Sequence, residues 1–340
     1  MPWLKDCCDF AKYAVLEEHV GVVPGAAFFS DTSSADSSTL RLSFAKTPPE
    51  IAREAGLRLR TLRSTRLHVP THGVRMISTP ATVHERAAAF ALGLPDDAAF
   101  SHVSAAQLLG LPRPTALEAQ EVLDVMRPTS RAQVRRDGCR GHRGLERREV
   151  IDVQGLRVVA PADTWCDMGE LTSPALAIDD LVVMGDAAVN RLEPEGIATL
   201  RSALDARTRP RGRARLMAAG GLIRVGSRSP MESRTRLMFH RAGFPEPELN
   251  AEVLDCHGGW LLDGDFVWRR QRVIGEYQGA DHASRKRRSA DSMRSGLATD
   301  EDYQVIEINA EDVYGRARRC TLLRRFARAM DIDPATLTIE

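Results

Sequence analysis

The stretch Asp265–Gly279, DFVWRRQRVIGEYQG, sets an acid inside each of two apolar runs parted by an arginine-rich break. A carboxylate in such a run is costly unless something pairs with it. WLLDGDFVW (Trp260–Trp268) and RVIGEYQ (Arg272–Gln278) each read as a strand. A turn at Arg270–Gln271 folds them into an antiparallel hairpin whose facing positions have numbers summing to 541, and a four-residue loop Arg269–Arg272 gives the same register. Asp265 then faces Glu276 and Asp263 faces Gln278, all four on one side because side chains alternate along a strand. Facing residues have Cβ atoms ~5 Å apart. Two carboxylates at that distance repel, and one is driven toward protonation. A shared hard cation removes both costs, and all-oxygen ligation points to Mg²⁺ or Mn²⁺. The plainer reading is a polar face turned to solvent. It explains Asp263, Asp265 and Arg272 but leaves Glu276 and Gln278 unexplained.

The flanking pattern extends this hairpin into a domain. SPMESRTRLMFHRAG is expected to be a helix, with Ser229 at the N-cap, Pro230 in the first position, Glu232 closing a capping box and Gly243 ending it. ELNAEVL alternates as a strand and DCHGG turns the chain. After the hairpin, ASRKRRSADSMRSGLATD reads as a helix, YQVIEIN as a strand and RARRCTLLRRFARAM as a closing helix through Leu322, Leu323, Phe326 and Met330. The expected order over 225–332 is αβββαβα, built on a mixed sheet, within a chain that is α/β in the broad (α+β) sense.

The pattern D-x(10)-E-x-Q on adjacent strands of this unit resembles the PD-(D/E)XK nuclease signature. The wider run is similar to the endonuclease-like domains related to very-short-patch-repair nucleases. It comprises Asp265-Phe-Val-Trp268, Glu276-Tyr-Gln278-Gly279-Ala-Asp-His282, then Asp291 and Arg294 on a helix, then YQVIEIN. The resemblance implies that Asp265 and Glu276 are metal ligands and that the activity is metal-assisted phosphodiester hydrolysis. Gln278 stands where the superfamily usually has lysine. It can orient a water or lend an amide oxygen but brings no positive charge. His282 would assist proton transfer or contact phosphate. Glu232, Asp263 and Asp291 are accessory candidates. Arg285, Lys286, Arg287, Arg288 and Arg294 would hold nucleic-acid phosphates through charge. Nucleic acid, DNA first, is the expected partner. The competing expectation is an inactive nuclease fold that binds nucleic acid in an antitoxin-like role, and Gln278 is its main support.

Residues 66–206 carry S-H-V-S-A-A-Q-L-L-G-L-P and P-A-D-T-W-C-D, which resemble the middle domain of AbiEi-like type IV antitoxins and so leave room for a protein partner. Here Ser101 is expected to cap a helix ended by Gly110 and Pro112, and Asp163 to cap another. Ser101, His102 and Ser104 read as a cap with a neighbouring imidazole, since no acid at a matching position completes a triad. Arg131, Arg135, Arg136, Arg140, His142, Arg143, Arg147 and Arg148 form a basic run, usually a solvated face, with phosphate contact as its alternative use. Residues 1–64 carry V-V-P-G-x-x-F and L-R-L-S-F-A, which resemble the C-terminal end of fold-type I pyridoxal-phosphate aminotransferases. That likeness implies that Arg41 would hold a substrate carboxylate. The large cofactor domain and its lysine have no counterpart in these residues, so transamination is not expected.

Bulk composition adds exclusions. The chain has 340 residues, 43% hydrophobic and 27% charged, with a formal net charge of +1. That balance gives no global pull toward nucleic acid or membrane, so any such surface must be local. No run is long enough to span a bilayer, the start has no signal-peptide layout, and the six cysteines show no CxxC spacing. Reduced thiols in a cytoplasmic protein are expected.

Overall fold

Arg269–Arg272 make the turn between the two central strands, with the Arg272 amide donating to the Arg269 carbonyl at 3.3 Å. Across it Trp268 pairs with Val273, Val267 with Ile274 and Phe266 with Gly275, which is the register summing to 541. The computed structural model describes residues 68–76, 79–172, 175–192, 194–279 and 302–339, together with strand segments at 23–24 and 39–41. Helices and two mixed sheets make the protein α/β. Its contacts divide it into two units, Met1–Met168 and Gly169–Glu340.

In the first unit β1 (Val23–Pro24), β2 (Thr39–Arg41) and β3 (Arg75–Met76) form a small antiparallel sheet. Helix α1 (Val83–Ala91) follows, capped by Thr82, whose hydroxyl accepts the Glu85 amide at 3.1 Å. Then come β4 (Ala99–Phe100), α2 (His102–Leu108), α3 (Thr115–Glu118), β5 (Leu123–Arg127), β6 (Cys139–Arg143), β7 (Val150–Val153), β8 (Leu156–Val159) and α4 (Pro161–Gly169). The sheet order is β6-β5-β4-β8-β7. Phe100, Val125, Met126 and Val158 fill its buried centre. Pro161 takes the start of α4, so Asp163 lies inside the first turn and not at the expected N-cap, and its Oδ2 accepts the Glu149 amide at 2.8 Å.

The second unit opens with α5 (Ile178–Arg191), α6 (Gly196–Asp205) and α7 (Arg213–Leu222). Helix α8 (Pro230–Ala242) follows, with the Ser229 hydroxyl accepting the Glu232 amide at 3.1 Å and Gly243 closing it at φ 88°. Only half of the expected capping box forms, because the Glu232 carboxylate turns to the Arg228 amide. Next are β9 (Glu248–Leu254), β10 (Trp260–Trp268), β11 (Val273–Tyr277), β12 (Gln304–Ile308), α9 (Ala310–Tyr314) and α10 (Arg316–Ala329). The order β12-β11-β10-β9 has β12 parallel to β11 and the other pairs antiparallel. The helix expected between β11 and β12 lies outside the described residues. The short α9 was not legible as a separate element, although its Asn309–Asp312 capping box is local.

One face of this sheet builds the main core from Phe266, Trp268, Val273, Ile306 and Ile308 with Met238 and Phe239 of α8 and Leu322, Leu323 and Phe326 of α10. Phe239 sits edge-on to Phe326 and Trp268, with ring centroids 4.7 and 5.0 Å away. A Cβ on Gly275 would lie 3.2 Å from the Phe326 ring and 3.1 Å from Ile308, so glycine lets α10 come down onto the hairpin. The opposite face gathers Val253, Leu261, Leu262, Val267 and Ile274.

Pattern alone divides the chain at 64/66 and 206/225, whereas the contacts divide it once. Pairing of β3 with β2 joins residues 75–76 to the first segment. Helix α5 is tied to α8, with Arg234 on Asp180 at 2.7 Å and Arg241 on Asp179. Deepest is Arg236, 1% exposed, whose Nη2 donates to Asp186 Oδ2 at 3.1 Å and to the Leu222 carbonyl at 2.7 Å. Burial pushes the Asp186 carboxyl above its ordinary value, against the opposing pull of Arg236 and the Arg224 amide. Removing one partner of such a pair leaves a buried charge uncompensated. Arg236→Ala should therefore cost about 3–5 kcal/mol in urea unfolding. The double change Arg236→Met with Asp186→Leu should recover most of that loss.

Candidate acidic site on the C-terminal sheet

The β10–β11 pairing ends at Phe266–Gly275, and the next rung in the same count is Asp265–Glu276. Both residues are half-buried. The Tyr277 amide donates to Asp265 Oδ2 at 2.8 Å, so the carboxylate meets β11 backbone where the strand-to-strand ladder stops. On the other side of β11, Glu276 is the in-register parallel neighbour of Glu307 in β12. The amide of Gln278 donates to the Ile308 carbonyl at 2.8 Å, which continues that parallel pairing one step further.

Strand β10 is irregular at Asp265. In the β9–β10 register Asn250 lies across from Asp265, and Asn250 takes a left-handed φ of 46°. A Cβ on Gly264 would meet Val267 Cγ2 at 2.6 Å and Ile274 Cγ2 at 2.9 Å, so residues 264 and 267 share a face. Strict alternation would put them on opposite faces. Asp263 precedes this irregular stretch. That residue is exposed and accepts from Trp260 Nε1 at 3.2 Å. Such irregularities re-aim side chains beside functional sites.

Glu232 reaches this row from α8. It is 7% exposed, and its Oε2 accepts from Asn250 Nδ2 at 2.6 Å and from the Arg228 amide at 2.8 Å. Asn250 Nδ2 also donates to the Gly226 carbonyl at 2.8 Å. The structure thus brings Asp265, Glu276, Glu307 and Asn250 onto neighbouring strands, with Glu232 behind Asn250. Asn250 and Glu307 were missed from sequence, because their places depend on registers between strands distant in the chain. His282, Arg285, Lys286, Arg287, Arg288, Asp291 and Arg294 lie outside the described residues. Arg41 is in β2, across from Val23. Among the described residues, no group of three or more His, Cys, Asp or Glu side chains gathers in a metal-holding arrangement.

The first unit holds a second polar cluster. His142 Nε2 lies 2.8 Å from Asp124 Oδ1, and the fully buried Asp124 also receives Gln120 Nε2 at 2.8 Å. The His102 ring stacks on His142 with centroids 3.8 Å apart, and its Nδ1 meets Ser101 Oγ at 3.1 Å. Ser101 occupies the N-cap position of α2, yet its side chain makes no cap bond, because the imidazole takes the hydroxyl instead. An acid is therefore present nearby, but it serves His142. Ser101 and Ser104 are both buried, and Ser104 Oγ accepts the Asp124 amide at 2.8 Å. The helix-cap reading of Ser101 gives way to this network.

Much of the basic run is likewise structural. Arg136 ties Thr71, the His72 carbonyl and the Gly93 carbonyl together, and Arg148 is bonded to Asp167 and Gly144.

No protein-family profile matches the chain, and no curated protein matches it. Among solved structures, the crystal structure of the Rv2827c protein from Mycobacterium tuberculosis matches 60% of this chain and 81% of that one, at 15% identity and a TM-score of 0.35. At that level of likeness neither fold nor function transfers.

Desolvation chiefly lowers the His102 pKa to about 4, with Asp167 and Asp124 opposing it and His142 and Arg148 adding to it. The ring is neutral when folded and takes up a proton on unfolding. Its contribution is full above pH 6.5 and is lost as pH falls from 6.5 toward 4. Asparagine tolerates the left-handed φ of 49° at this position and does not titrate. His102→Asn should therefore shrink the drop in stability between pH 7 and pH 5 by about 2 kcal/mol in urea unfolding.

Proposed function

We propose that the C-terminal unit is a metal-dependent phosphodiesterase acting on nucleic acid, DNA first, with Asp265 and Glu276 as the cation-holding pair. One observation carries the reading. The hairpin pairing ends at Phe266–Gly275, the two half-buried acids are the next residue on each strand, and the Tyr277 amide donates to Asp265. The donors fit a hard cation, since both offer carboxylate oxygens and Glu307 stands one strand away. Mg²⁺ is commonly held by one or two carboxylates, with waters and substrate phosphates completing its shell, so two protein ligands suffice. When bound, the cation would acidify a coordinated water and offset charge on the phosphate oxygens.

The chain's own residues then have separate duties. The Tyr277 amide helps to position the Asp265 carboxylate. Asn250, held by Glu232, braces β9 opposite Asp265. Gln278 offers a neutral amide to orient water, in place of the cation that a lysine would bring. The no-membrane expectation agrees with the described helices, none of which is long and apolar enough to cross a bilayer.

Binding without cleavage is the second reading, and the missing positive charge at Gln278 favours it. Supercoiled plasmid incubated with the full chain separates the two. Under the nuclease reading, Mg²⁺ or Mn²⁺ supports nicking, chelator stops it, and Asp265→Ala or Glu276→Ala lowers the rate by more than about 100-fold. Intact plasmid in both metals, with retarded migration on a gel, would leave only the binding reading.

A further inference from the structure

Helix α10, RARRCTLLRRFARA, contains six arginines and no acidic residue. Its inner side is accounted for by Leu322, Leu323, Phe326 and Ala327, which are buried in the main core. The outer side exposes Arg316, Arg318, Arg324, Arg325 and Arg328. Arg318, Thr321, Arg325 and Arg328 recur at helical spacing, so they form one strip about 15 Å long. Arg318 is steadied by Asp312 at 2.9 Å. Burial raises the Asp312 carboxyl, but the Asn309 amide and Arg318 outweigh it and hold it below its ordinary value. Arg325 and Arg328 make no ion pair or side-chain hydrogen bond with the other described residues.

Local stability does not explain this composition. Arg316, Arg318 and Arg319 lie in the first turn, where the helix dipole disfavours positive charge. Solubility alone would be served by mixed signs, as on most protein surfaces. Beside the strip lies a groove of about 450 Å³ lined by Arg318, Thr321 and Arg325 on the helix and by Glu307 and Asn309 at the end of β12. Glu307 therefore both lines the groove and is the strand-to-strand neighbour of Glu276.

We infer that Arg318, Arg325 and Arg328 form a track for the phosphate backbone of nucleic acid along the β12 edge, where Glu307 stands beside Glu276. The guanidinium forks match phosphate oxygens, and contacts of this kind are indifferent to base sequence. The track takes its link to cleavage from the nuclease reading, while its binding chemistry stands without any metal.

The test is fluorescence anisotropy of a labelled DNA duplex with the full chain in EDTA, across a series of salt concentrations. The double variant Arg325→Gln/Arg328→Gln should bind about tenfold more weakly, and the slope of log affinity against log salt should flatten by about 2. Both side chains are exposed, so circular dichroism should report an unchanged fold. An unchanged affinity and slope in the folded double variant would overturn the track, including the case in which the strip serves an acidic protein instead. Loss of nicking in Glu276→Ala without any slope change in the double variant keeps the nuclease and removes the track. A slope change with no nicking in any metal keeps the track and removes the nuclease.

Discussion

A one-residue slip of β10 against β11 would carry Phe266 and Trp268 out of the aromatic core and shift Asp265 relative to Glu276 at the same time. Register in a sheet is specified wherever one face is buried, because the side-chain period is two. Here both faces are apolar around the hairpin, so two cores hold the same register. Phe239 and Phe326 grip Phe266 and Trp268 from one side, while Val253, Leu261 and Leu262 enclose Val267 and Ile274 from the other. The acids occupy the rung where this apolar clamp ends. Their placement follows from packing that contains no acid at all.

The chain uses its arginines in two physically different ways. Some are staples. Arg127 binds both oxygens of Asp97 at 2.7 and 2.9 Å, Arg136 collects three oxygen acceptors, and Arg236 is sealed against Asp186. Their charge is satisfied inside the protein, so they have little left for a ligand. The outer face of α10 is the opposite case, a one-sign strip beside a groove. A net charge near zero conceals this difference, since it sums staples and strip alike.

The irregular point at Asp265 concentrates the local costs of the C-terminal sheet. Asn250 adopts a left-handed φ, which non-glycine residues rarely do. Glu232 is buried with its carboxylate bonded to Asn250 and to a backbone amide. Each feature is stabilised by a neighbour: Glu232 by Asn250, Asn250 by the Gly226 carbonyl, and Asp265 by the Tyr277 amide. Strain held in this way clusters at sites that bind or react. The His102–His142 stack in the first unit has a similar local strain, with φ 49° at His102, but its serines and its acid are buried and occupied.

Local chemistry made much of the second unit legible from sequence. Ser229, Pro230 and Gly243 mark the ends of α8, the alternation in ELNAEVL marks β9, and the length of the Arg269–Arg272 turn sets the register that pairs Phe266 with Gly275, Val267 with Ile274 and Trp268 with Val273. Those signals act over a few residues, where backbone propensity and turn geometry dominate. Other features needed the folded chain: the left-handed Asn250, Glu307 beside Glu276, Asp124 against His142 and Asp186 under Arg236. Most of these bring together groups well separated in sequence. No local preference records such contacts, since they form only when competing cores and parallel strands settle their packing together.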